Sequence, residues 1–157
     1  MTAPAHQWER RADAVLGIAA SAILMAMMCL TFVDVVARYV FNRPLRGGFE
    51  ITELLLLVLI FAGLPLVSHA DEHVTMDFID RLLGARARAW LDRIVHLLVA
   101  ALMLFMAWQV TIKAARISSY GDATDVLRIV YGPFVYFSAA MIALAGLIHL
   151  YKAGEKK

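Results

Sequence analysis

The chain holds a single cysteine, Cys29, four prolines, and an unusually small share of charge, 18% of its 157 residues. One cysteine excludes an internal disulfide, and its place inside an apolar run reads as a small residue facing lipid or a neighbouring helix. The 15 basic residues are scattered and the formal net charge is only +2, which excludes the concentrated basic surface that nucleic-acid binding needs. No internal repeat, low-complexity linker or glycine-rich phosphate loop is present. An ordinary soluble domain carries about a quarter of its residues as charges, so the deficit already points away from water.

What fills the gap is apolar: 62% of residues are hydrophobic and the mean hydropathy is +0.72. A soluble chain this short leaves too much surface exposed to bury such a load, whereas a bilayer accepts it. Four apolar runs predict an all-α membrane protein with transmembrane helices over about 14–39, 51–67, 94–112 and 129–150, forming one domain over 1–157. The first run follows Arg10 and Arg11 as a signal peptide would. It is longer than a cleavable apolar region of about 7–15 residues and is therefore expected to stay as the first helix.

Pro44, Gly47 and Gly48 break the chain between the first two runs, and 113–125 reads as a polar loop between the last two. Between spans two and three, 76–93 mixes Phe78, Ile79, Leu82, Leu83, Trp90 and Leu91 with charges. That mixture predicts an amphipathic helix lying in the interface, with Arg81, Arg86, Arg88, Trp90 and Arg93 at the level of phospholipid head groups. Nine Lys and Arg residues fall on the side of the termini and second loop, against six on the other, which predicts cytoplasmic N and C termini.

Few residues carry chemistry. His69, Glu72 and His73 fit the H-x-x-E-H order of inverted zinc proteases, but no third ligand is placed by the sequence and no soluble lobe exists to form a cleft, so a short polar loop is the preferred reading. No catalytic residue, metal or cofactor is expected. Asp34 and Arg38, four apart near the outer end of the first span, predict an intrahelical ion pair. Glu50 and Glu53 open the second span. Glu53 is the deeper, and two roles are open to it: pairing with Arg38 or Arg46, which is preferred, or coupling transport to a proton or another cation. His96 and His149, at span ends, read as interfacial polar residues. Gly17 and Ser21, with Ala139, Ala143 and Gly146, mark faces where helices can approach closely.

The stretch from Asp34 through Arg38, Tyr39, Asn42 and Pro44 resembles the end of the first helix in the small membrane subunit of TRAP (tripartite ATP-independent periplasmic) transporters. Glu50, Glu53, Gly63 and then His73-Val74-Thr75-Met76-Asp77 extend the resemblance over nearly the whole chain. Gly48 departs from it, standing where an aromatic residue such as Trp is expected.

The resemblance implies a non-catalytic subunit in the bacterial inner membrane. It would scaffold a large membrane subunit that takes up a carboxylate-bearing solute delivered by a periplasmic substrate-binding protein. Carried over, it makes Asp34, Arg38, Tyr39, Glu50 and Glu53 candidates for the contact with the large subunit, and Arg43 and Arg46 candidates for docking the binding protein. The rival expectation is a stand-alone proton-coupled exporter, acting as a homodimer with Glu53 as its coupling carboxylate.

Overall fold

A computed structural model describes residues 5–69 and 85–154. They form four helices: α1 (Ala5–Val40), α2 (Gly48–His69), α3 (Ala85–Tyr120) and α4 (Gly132–Gly154). Each contains a segment long and apolar enough to cross a membrane. At about 1.5 Å per residue, the 36-residue α1 and α3 each run about 54 Å, well beyond an apolar bilayer core of about 30 Å.

The extra length of α3 corrects one expectation. The helix does not stop near Ile112: it continues to Tyr120, so the first part of the expected polar loop is helical. Lys113 and Arg116 lie on its exposed side, while Ala114 between them is fully buried. Polarity there marks a solvated helix face, not a break. At the other end, Ala85 to Arg93 is helical and leads into the span without a break, as the alternation of Ala and Arg, both strong helix formers, allows. The rest of the expected interfacial helix, 76–84, lies outside the described residues, as do Arg81 and most of the zinc-protease pattern.

The helices cross up and down, with α4 in the middle, packed extensively on α3 and also on α2. The α3–α4 seam is built from small residues. Ala100, Ala107 and Ala114, seven apart, are buried on α3; Ser138, Ala139, Ile142, Ala145, Gly146, His149 and Ala153 are buried on α4. A Cβ placed on Gly146 would lie 3.1 Å from Met103 Cβ and 3.2 Å from Leu104 Cγ, so glycine here sets how closely the two helices approach.

The small residues of α1 find no such partner among the described residues: nothing lies within 4 Å of a Cβ built on Gly17, and the Ser21 hydroxyl donates back to the Gly17 carbonyl. The one extensive helix neighbour of α1 among them is α2, and no residue of its most apolar window is buried within the chain.

Asn42, in the left-handed conformation at φ 51°, ends the first helical stretch, and the Arg43 N–H caps the Ala37 carbonyl at 3.1 Å. Residues 121–131 fold into a small hairpin-like loop, closed by the Ala123–Val130 bridge and by Tyr131 N–H donating to the Asp122 carbonyl at 3.1 Å. Pro133 occupies the first turn of α4, where a missing N–H breaks no helical bond.

Candidate assembly and docking surface

Asp34 sits in the last turns of α1 and works in two directions. One carboxylate oxygen accepts from the Arg38 guanidinium at 2.9 Å, the expected intrahelical pair, and the other accepts the Leu45 N–H at 2.8 Å. Loop one is therefore folded back and tied to the helix it leaves. Gly48 is buried beside this tie, yet a Cβ there would make ordinary contact with Leu45 Cβ at 3.4 Å, so the glycine is not a steric demand. Arg38 remains 60% exposed despite its partner, and Tyr39 is 82% exposed.

The second carboxylate cluster reverses the expected depth order. Glu50 is buried, and Glu53, one turn further along α2, is exposed. The Glu50 oxygens accept the consecutive N–H groups of Val126 at 2.7 Å and Leu127 at 2.9 Å, which reach over from the third loop. Thr124 is buried within that loop, its hydroxyl accepting the Ile129 N–H at 3.0 Å.

Position along the helix axis misled the reading of depth, because a loop distant in sequence folds over the mouth of α2 and covers Glu50. The expected ion pair of Glu53 with Arg38 or Arg46 does not form among the described residues. Arg38 is taken by Asp34, and Arg46 is exposed. Tyr131 lies at the same end. Burial pushes its phenol above the usual range, and the carboxylates of Glu53, Glu50 and Asp125 add to the rise. Arg43 and Arg46 both stand exposed on loop one.

At the opposite end, side chains cap helix C-termini. The Arg93 Nε donates to the Ala153 carbonyl at 3.1 Å and the Lys152 Nζ to the Ser68 carbonyl at 2.8 Å, both favourable to the negative end of a helix dipole. His96 and His149 are not separate interfacial groups: their Nδ1 atoms lie 3.2 Å apart, one donating and one accepting, and His149 is almost wholly buried. Trp90 and Arg93 are exposed in the second and third turns of α3.

Among the described residues no group of three or more His, Cys, Asp or Glu side chains is arranged to hold a metal. Sequence reasoning missed Thr124, the Glu50 contacts and the histidine pair. The Glu50 contacts join residues more than 70 positions apart, and the polar character of Asp122 to Asp125 was the only local sign of a structured loop.

No curated protein matches the chain. Residues 27–155 match the family described as "Tripartite ATP-independent periplasmic transporters, DctQ component", a span that takes in all of the loop-one and loop-three geometry above. With four helices of membrane-crossing length behind that match, the chain belongs to the DctQ family and is the small, multi-pass inner-membrane component of a TRAP transporter.

Proposed function

We propose that this chain is a non-translocating scaffold: it holds the large membrane subunit in the bilayer and helps dock the periplasmic binding protein that delivers a carboxylate-bearing solute. One observation carries the reading. The outer ends of α1 and α2 present charge and hydroxyl groups outward beside their apolar segments, while α1 buries none of its most apolar window within its own chain. Charges so close to an apolar span are costly in lipid and favour a protein or water-facing environment. Arg38, Tyr39 and Glu53 are the groups that face outward; Asp34 and Glu50 spend their oxygens holding the backbone that presents them.

The side bearing loops one and three is the periplasmic side in this reading, supported by the excess of Lys and Arg on the side of the termini. Arg43 and Arg46 then meet an acidic face of the binding protein, steering its approach in a salt-dependent way. At the cytoplasmic end, Trp90 and Arg93 sit where an aromatic anchor and a cation engage anionic head groups, in the same zone as Arg86 and Arg88.

The test is co-purification. Replacing Arg38 and Glu53 together by leucine should release the tagged large subunit in mild detergent while the small chain stays folded. Full retention of the large subunit would show that the contact lies elsewhere.

A further inference from the structure

Loop one and loop three are fastened to each other by a single device. Glu50, 9% exposed, uses both carboxylate oxygens on the adjacent N–H groups of Val126 and Leu127, at 2.7 and 2.9 Å. Three residues earlier, Gly47 adopts φ +77°, and the Leu127 side chain occupies the space a Cβ would take there. Loop three is thus held by a carboxylate from one side and seated on a bare stretch of backbone on the other.

Loop one is in turn tied to α1 through Asp34 and the Leu45 N–H. The chain of contacts runs from α1 through loop one and the first turn of α2 to loop three. Beyond this frame stand Arg43 and Arg46 on one loop, and on the other Arg128, held in a left-handed conformation at φ 57°. Loop three also carries exposed Asp122 and Asp125, so it adds no net positive charge to the surface. What it adds is position.

We infer that Glu50 is a positioning residue for docking: it clasps loop three to loop one, so that the binding protein meets one fixed surface instead of two independent loops. This rests on the docking role proposed for Arg43 and Arg46. Glu50 itself touches neither partner, because its side chain is covered and both oxygens are engaged within the chain. A surface fixed before encounter binds more tightly than one that must be ordered on contact. Loss of the clasp therefore weakens docking and leaves the translocation step alone.

The experiment uses the complete three-protein transporter in proteoliposomes, with solute uptake measured while the binding protein is titrated. Glu50→Gln, which loses the charge and one acceptor, should raise the half-saturating concentration of binding protein about five- to tenfold and leave the saturated rate within about twofold. The large subunit should still co-purify. Leu127→Ala, which empties the seat and keeps Glu50, should shift the half-saturating concentration in the same direction by less, and serves if Glu50→Gln fails to fold.

The decisive arm is a covalent substitute. Gly47→Cys with Leu127→Cys, in a Cys29→Ser background, places two thiols within disulfide reach on the two loops. Oxidised, this pair should return the Glu50→Gln protein to the half-saturating concentration of the stapled protein with Glu50 intact, and reduction should undo the rescue. The inference is overturned if neither Glu50→Gln nor Leu127→Ala changes that concentration. It is equally overturned if Glu50→Gln releases the large subunit, or if the oxidised staple fails to rescue. Reversing Arg43 and Arg46 to Glu in the otherwise intact transporter tests the underlying reading separately. No change there removes the docking role itself, whereas a change there without one in the Glu50 and Leu127 variants condemns only the clasp.

Discussion

Asp34 shows how one side chain near a helix end organises the loop beyond it. Its two oxygens serve an arginine on its own helix and a backbone N–H in loop one, so removing them leaves the Leu45 N–H without its partner. A half-buried donor that loses its acceptor loosens the loop it held, because water replaces the lost bond only in part. Asp34→Ala should therefore lower the thermal midpoint of the purified chain in detergent by a clearly measurable amount. Asp34→Asn, which keeps an acceptor for Leu45, should lower it by less; an equal loss would mean that the charge and not the tie to loop one matters.

The ion pair with Arg38 was legible in the sequence because both partners lie on one helix four residues apart. The inversion of Glu50 and Glu53 was not. Local spacing places both carboxylates near the mouth of α2, and only the fold reveals that loop three returns to cover the first and leaves the second open. The His96–His149 pair was hidden for the same reason, its members being 53 residues apart on different helices.

The helices divide into an inner seam and an outer arm. In α3 and α4 the seam is packed through Ala100, Ala107, Ala114 and Gly146, whereas α1 offers Gly17 and Ser21 to nothing described in its own chain. Leucine at the two glycines should separate these roles. Gly146→Leu forces the bulk of an isobutyl group against Met103 and Leu104, and overpacking of this kind costs typically about 1–3 kcal/mol, so the isolated chain should lose thermal stability.

Gly17→Leu meets open space and should leave the isolated chain unchanged. If it weakens co-purification with the large subunit, α1 is part of that contact; loss of stability in the isolated chain would instead mean that α1 packs more closely on its own bundle. Composition alone located these four elements, because a run of about 20 apolar residues has few other uses. It placed the end of α3 badly, since the turns beyond the apolar run are polar yet still helical, through Lys113 and Arg116 to Tyr120.

As a whole the molecule is a bundle whose two ends are built differently. One end, with loops one and three clasped by Glu50, faces the periplasm in the proposed orientation; the other, where Arg93 and Lys152 cap helix ends, faces the cytoplasm. In a Cys29→Ser background, Arg43→Cys should react with a membrane-impermeant maleimide in intact cells, and Lys157→Cys only after permeabilisation. The reverse pattern would invert the orientation and remove loop one from any contact with the binding protein.

Uptake in proteoliposomes tests the scaffold role most directly, with a carboxylate-bearing solute that the binding protein retains. This chain reconstituted alone should move no solute under either a sodium or a proton gradient, and uptake should appear only when the large subunit and the loaded binding protein are both present. Gradient-driven flux through this chain alone, abolished by Glu53→Gln, would contradict the scaffold and make it a transporter in its own right.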